Sequence, residues 1–492
     1  MPCLADEARS FPDWPIIGLS FYVANMSGST FVALPGSGYN DGIAVYNYEW
    51  LPALLLVFFA LFILPLLLRA QVYTAPQFLE HRFGRSARLG FSAFLLVANI
   101  FIDAAAALYA GAVIVQALFP SVPLTLTIAV TAAVAGLYIF FGGLGAVVIN
   151  DAIQATLIMV GGAAIAWLTF QEVGSWQAVR DAAPEHALHL IRPADDALMP
   201  WPGLITGVLV IGFYFWCTNQ FVIQRALGAR SLDHGRKGAL FAGLLKLPNL
   251  FLLVMPGVMA TALYPDLDNP DTVFPTLAFD LLPVGLRGLM LAALAAAIFS
   301  SLEAILNSAS TLLTMDFVRS LKPNLSDRAL VWTGRLATLG FMILAAAWAP
   351  RIASFPTLWQ YLQSILAYVT PPVVVIFLLG IFWPRGSNAG ALATLGLGIP
   401  TGIAAWAGNE ILGWMGIQYL YASGLLLVAS ALIFVVVSLV TPAPPAEAVR
   451  CCTWRRDLLR DPDAPHPRWY ADTRWLAIAL VILTLAMVLW WW

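Results

Sequence analysis

Stretches of about 20 consecutive apolar residues recur from one end of this chain to the other, and no soluble fold can bury them all. A helix rising 1.5 Å per residue needs about 20 such residues to cross a hydrocarbon core roughly 30 Å thick. Thirteen candidate spans satisfy this: 14–37, 49–69, 89–118, 123–143, 150–172, 201–226, 238–263, 287–315, 331–350, 357–383, 387–408, 417–440 and 473–491. Hydrophobic residues make up 60% of the 492 and charged ones only 11%, so lipid must be the solvent. Backbone groups find no water in hydrocarbon, which leaves spanning helices or a closed barrel. The unbroken apolar runs lack a barrel's alternation, so an all-α polytopic membrane protein is expected.

The rest of the composition narrows the function by exclusion. A net charge of −2 gives nucleic acid nothing to hold. Cys3, Cys217, Cys451 and Cys452 are too few and too scattered for a disulfide framework and read as free thiols. Met1 to Asp13 has neither the basic nor the apolar region of a cleaved signal, so insertion is expected to rely on the first span. The largest loops, 173–200, 264–286 and 441–472, are too short for an enzyme domain. The five histidines fall in loops without ligand spacing, and no phosphate-cradling loop or nucleophile elbow occurs; no catalytic residue is expected. The chain divides into a transmembrane core with peripheral helices at 1–440, a loop at 441–472 and a last helix at 473–492.

Orientation follows from basic residues, which concentrate in cytoplasmic loops. With the N-terminus inside, eighteen Lys and Arg fall on the cytoplasmic side and four outside; Arg225, Lys246 and Arg335 remain within spans. Thirteen spans then put the C-terminus outside, with Trp490, Trp491 and Trp492 at the interface.

Polar residues inside the spans mark candidate sites. Asn25-Met26-Ser27-Gly28-Ser29-Thr30 interrupts the first span with a polar, Gly-containing run. Either the helix breaks there and exposes carbonyls that suit a hard cation such as Na⁺, or the small residues form a packing face. Ser300 and Ser301 sit midway along the eighth span, where hydroxyls alone read as ordinary helix contacts. Lys246 lies nine residues after Lys237, about 13 Å deep, and calls for a cavity or a carboxylate partner. Asp103 and Glu303 are deep enough to be that partner, whereas Glu49 and Asp151 sit near span ends, where a solvated carboxylate is unremarkable.

Several ordered segments resemble the sodium/solute symporter family, in its sodium/glucose cotransporter branch. They include Ser37-Gly38-Tyr39 through Tyr48-Glu49-Trp50, Thr74-Ala75-Pro76 through Arg82-Phe83-Gly84 and Gly142-Gly143-Leu144 through Asn150-Asp151. Trp216-Cys217-Thr218-Asn219-Gln220, Asn307-Ser308 through Met315-Asp316 and Tyr361-Leu362-Gln363 extend the likeness.

The resemblance implies two inverted five-helix repeats plus three C-terminal helices. It implies a sodium site between the first and eighth helices, on carbonyls of Val23, Met26 and Ala297 and hydroxyls of Ser300 and Ser301, and a sodium pathway past Asp151. It places a sugar against Asn25, Glu49, Trp216, Lys246 and Gln363, with Phe215 as the gate. Three positions depart from the branch: Thr30 stands for Gln or His, Gly212 for a polar residue, and Phe215 for a tyrosine. A further departure is that the chain enters its first span directly at Phe11-Pro12-Asp13-Trp14, without the additional helix that family members carry there. The implied function is symport of a small neutral polar solute, a monosaccharide or polyol, with sodium across the cell membrane. A sodium symporter of an amino acid or carboxylate, and a non-transporting sensor, are the alternatives.

Overall fold

A computed structural model describes residues 13–72, 74–141, 147–184, 186–322, 324–414, 416–459 and 472–492, with the side chains of 138, 140, 141, 147–155, 158, 221, 224 and 327 also outside the description. Among the described residues the chain is helical throughout, with one isolated bridge, Arg192 to Pro200, and no strand. Each of the thirteen apolar stretches is met by helix. Among the described residues nine helices are long and apolar enough to cross a membrane, or ten when the pair Leu358–Val369 and Pro371–Phe382, bent by 54°, is taken as one. That measure does not confirm the count of thirteen. The first stretch is broken into two short helices and the tenth is bent, so neither forms one straight crossing.

The protein is a multi-pass membrane protein turned outward onto lipid. On Tyr419–Val440, Leu425, Val428, Leu432 and Val436 are 61%, 59%, 60% and 56% exposed, an apolar stripe that only hydrocarbon accommodates. The interior holds the polar residues instead.

Two helices break, and each opens a five-helix set. Trp14–Asn25 ends and Gly28–Asp41 begins across Met26 and Ser27, where Ser27 is extended at φ −75°, ψ 166°. Five helices on, Trp201–Thr218 and Gln220–Leu227 part at Asn219, with φ −71° and ψ 133°. Trp14–Asn25 packs against Gln220–Leu227, and Leu232–Lys246 lies along Trp14–Asn25 as Met255–Leu263 lies along Gly28–Asp41. This is the paired arrangement that inverted repeats produce.

A turn at Pro270–Thr272 fixes Gly28–Asp41, the second half of the first broken helix, against the tenth. Buried Asp271 accepts the Leu358 N–H on both carboxylate oxygens, at 2.9 and 3.2 Å, at the start of the helix that carries Gln363. Ser37 reaches Thr357 at 2.9 Å beside it, and a Cβ on Gly36 would stand 2.8 Å from the Asp271 carboxylate. That approach requires glycine.

Burial pushes the Asp271 carboxyl up from 3.8 to about 7; the nearby Asp41 charge also raises it, while the Leu358 N–H and the Tyr109 hydroxyl oppose the shift. The native state therefore keeps a proton that the unfolded chain releases near 3.8. Its stabilising effect is complete below that value and is lost as pH rises through about 7. Asp271→Asn should flatten the pH dependence of the melting temperature over this window, as read by thermal unfolding in detergent.

Candidate functional site

The break in the first helix sets the site, because the last turn of any helix leaves carbonyls without intrahelical donors. Two are captured locally: the Met26 N–H donates to Tyr22 O at 3.0 Å, and the Thr30 hydroxyl to Asn25 O at 2.8 Å. Ser27 bridges to the Ser29 hydroxyl at 2.6 Å, tying the second half's start to itself. Against this break lies Val284–Thr311, the helix of Ser300 and Ser301. A Cβ on Gly28 would fall 2.3 Å from Ile298 Cγ1 and 3.0 Å from its backbone nitrogen. Only glycine lets the two backbones meet so closely.

The residues expected to hold sodium converge here. Val23, Met26, Ser300 and Ser301 line one cavity, and Ala297 is buried immediately behind it. The Ser301 hydroxyl donates to Ala297 O at 2.8 Å, as a mid-helix serine without another partner does. Asp151 belongs to the helix Val147–Val173, but its side chain lies outside the described residues.

Beside the break stands a buried charge network. Lys246 is fully buried and Glu49 is 1% exposed. The ammonium donates to Glu49 Oε2 at 2.8 Å, to Oε1 at 3.0 Å and to the Asn25 side-chain carbonyl, and it lies 5.2 Å from the Trp216 ring centre. Asn249 donates to Glu49 Oε2 at 2.6 Å and accepts from Tyr22 OH at 2.7 Å.

This corrects the sequence reading in two respects. The partner of Lys246 is Glu49, not Asp103 or Glu303, and Glu49 is not a solvated residue at a span end. The start of its helix explains why: Asn47, two residues before Glu49, donates to Ala44 O and Leu190 O, so loop backbone covers that end of the helix. Asn249 and Tyr22 were missed altogether. The spacing of Asn249 three residues after Lys246 was the available signal, since positions three apart share a helix face.

The cavity encloses about 1370 Å³ counted out to its open mouth. Asn25, Trp216, Phe215 and Gln363 line it, whereas Lys246 and Glu49 sit behind Asn25. Gln363 Oε1 is buried without a hydrogen-bond partner among the described residues. Phe215 packs edge-on to Trp216 at 5.2 Å. The departures also fall on the wall. Thr30 spends its hydroxyl on Asn25 O, and at Gly212 the room for a side chain is taken by Leu55, 2.5 Å from where a Cβ would be.

Residues 8–398 match the model of the sodium:solute symporter family. The chain belongs to that family. The symporter is 34% identical over 500 residues to sodium/glucose cotransporter 1 of Oryctolagus cuniculus, covering 90% of this chain and 75% of the relative. It is 34% identical over 502 residues to sodium/myo-inositol cotransporter 2 of the same organism, with 90% and 73% covered. Among solved structures, a substrate-bound, outward-open Na⁺-coupled sialic acid symporter superposes with a TM-score of 0.70 at 21% identity, covering 88% of this chain and 91% of that one. At that identity the likeness shows the fold. Membership makes this a transporter and not an enzyme, with sodium as co-transported cargo.

Breaking a buried pair by removing one partner strands the other charge, at about 3–5 kcal/mol. Lys246→Met should lower the melting temperature in detergent markedly, and Glu49→Gln added to it should recover much of the loss. Additive losses in this double-mutant cycle would show that the two groups are not coupled.

Proposed function

We propose that this symporter moves a monosaccharide or polyol into the cell together with Na⁺, from a site built on the broken first helix. The observation that carries this reading is the position of Asn25. Its side chain is bonded to Lys246, while the carbonyls of Val23 and Met26, on either side, are the ones assigned to sodium. One break thus serves both cargoes.

For sodium, the ligand set is five oxygens: carbonyls of Val23, Met26 and Ala297 and hydroxyls of Ser300 and Ser301. All are hard donors, as the ion prefers. The Ala297 and Ser301 oxygens, 2.8 Å apart, need only a turn of the hydroxyl proton to face one cation together. Asp151 is assigned to the sodium exit path.

For the solute, Glu49 offsets the Lys246 charge, which favours a neutral ligand over an ionic one. Asn25, Trp216 and Gln363 supply polar groups and an aromatic face suited to a polyhydroxyl ring, Lys246 and Glu49 hold Asn25 in place from behind, and Phe215 acts as the gate. The curated relatives carry glucose or myo-inositol in their names, in keeping with such a ligand. With Thr30 self-occupied and Gly212 bare, the pocket makes fewer polar contacts than the resemblance implies, so a cyclic polyol ranks beside a hexose. The N-terminus is assigned to the cytoplasm and the C-terminus to the outside, on the loop asymmetry.

Uptake of labelled monosaccharides and inositols into proteoliposomes, with and without a sodium gradient, tests the reading; accumulation should require the gradient. Uptake of an amino acid or carboxylate alone would instead support the non-sugar symporter, and solute-evoked current without accumulation the sensor. Ser301→Ala should raise the sodium concentration for half-maximal uptake by roughly tenfold, the scale of one charged-group hydrogen bond. Lys246→Ala should abolish solute uptake while sodium binding, read by its thermal stabilisation, persists.

A further inference from the structure

One charged group on the cavity wall has no part in either site. Asp103 lies in a wide turn, Asn99–Ala104, within the helix Arg85–Leu118, and lines the same cavity as Asn25 and Trp216. Its carboxylate makes no hydrogen bond or ion pair among the described residues. The fold does not need it to hold the turn. Phe101 O, freed within that turn, is bound by the Tyr361 hydroxyl at 2.6 Å, which in turn accepts from Trp348 Nε1 at 2.8 Å.

Wide turns of this kind insert a residue and rotate the face that follows, and they recur at functional sites. A second one, Tyr214–Thr218, carries Tyr214, Phe215 and Trp216. Tyr214 also lines the cavity, lies in the electrostatic field of Asp103, and has a hydroxyl without a hydrogen-bond partner among the described residues. Two irregular turns thus present an acceptor pair and a hydroxyl to one space.

A carboxylate offers two oxygens and about four acceptor sites, and a buried one is costly until donors fill them. The fixed cations nearby are engaged: Lys246 with Glu49, and Arg225, on the cavity wall, with the Ser20 hydroxyl at 3.0 Å. The donors must therefore come from what enters the cavity. Neighbouring hydroxyls of a polyol present two O–H groups at the spacing of one carboxylate. Charged acceptors strengthen such bonds relative to neutral ones.

We infer that Asp103 is a solute-binding residue that accepts hydrogen bonds from two adjacent hydroxyl groups of the carried solute, with the Tyr214 hydroxyl as a third contact. The inference rests on the sugar-or-polyol reading above and adds to it a further contact on the cavity wall. It also supplies polar partners that Thr30 and Gly212 do not provide. Asp103 thereby selects for solutes with an intact vicinal diol.

The test uses the full chain in proteoliposomes, with the best-carried polyol and its single-deoxy analogues, comparing the unaltered protein, Asp103→Asn and Tyr214→Phe. Asp103→Asn should raise KM for the parent solute roughly tenfold or more, leaving the sodium half-saturation concentration unchanged. At least one deoxy analogue that the unaltered protein handles poorly should be handled equally by both proteins, because the lost hydroxyl was the one Asp103 held. Unchanged KM, or an equal loss for parent and every analogue, would overturn the inference. So would a shifted sodium dependence with analogue discrimination intact, which would make Asp103 a cation ligand. If Asp103→Asn fails to reach the membrane, Asp103→Glu decides: it keeps the two acceptors one methylene further out, so the analogue ranking should change, and an unchanged ranking overturns the assignment. No uptake of any sugar or polyol by the unaltered protein would overturn the underlying reading and this inference with it; normal uptake with an indifferent Asp103→Asn overturns the inference alone.

Discussion

The Lys246–Glu49 pair is the interaction around which the centre of the symporter is arranged. Neither charge reaches solvent, so each must be satisfied within the fold. The pair draws in Asn25 from the broken helix, Asn249 three residues after Lys246, and Tyr22 one turn before the break. A buried pair of this kind is not a strong net stabiliser, since desolvation consumes most of the attraction. Its effect lies in what it forbids. Three helices must keep their register, because a slip of any one would leave a bare charge in the membrane interior.

That register places the helix break where it is useful. In hydrocarbon an unwound turn is tolerated only where its backbone groups are satisfied or face a cavity. Tyr22 O and Asn25 O find donors in the Met26 N–H and the Thr30 hydroxyl, while the break as a whole opens onto the cavity and the Ser300–Ser301 helix. Gly28 allows Ile298 of that helix to come within backbone contact of the break. The polar pair and the glycine are therefore two halves of one arrangement. One holds the break from the side, and the other lets its facing helix close on it.

How much of this was legible in the sequence depends on what kind of force was involved. Apolar length is local and additive, so every span was met by helix, although broken and bent helices blur the count of crossings. The break at Met26–Ser27 was visible as one of two readings, because Gly and Ser weaken any helix, but its role needed the partner helix. The Lys246 depth was readable from helical rise. Its partner was not, since Glu49 looks like an end-of-span residue until the cover provided by Asn47 and the Leu190 carbonyl is known. Motif strength was misleading in another way. The Thr74–Gly84 stretch marks the family clearly, yet buried Arg82 there donates to the carbonyls of Gly380, Trp383 and Gly386 and serves to fasten the tenth helix. Asp316, in another family segment, accepts from Ser92 at 2.5 Å and pairs with Arg88, again a structural tie. Asp103 shows the reverse: it belongs to no motif, and only the wide turn at Asn99–Ala104 reveals that it faces the cavity.

Coupling under the proposed function follows from this shared architecture without any further moving part. A gradient can drive a solute only if each ligand alters the other's affinity, and thermodynamic linkage makes the effect equal in both directions, typically 1–3 kcal/mol. The source of that energy is the cost of ordering the break. Sodium gripping Val23 and Met26 against the serine helix would fix the backbone on both sides of Asn25, so the solute would then meet an Asn25 already oriented by Lys246. The same solute, arriving first, would fix Asn25 and lower the ordering cost left for sodium. Neither ligand need touch the other. Under the proposed function the strength of coupling should then track how loosely the Met26–Ser27 segment is held when empty, and the Thr30 hydroxyl bond to Asn25 O, a tie across the break from side chain to backbone, would be a place where its stringency is set.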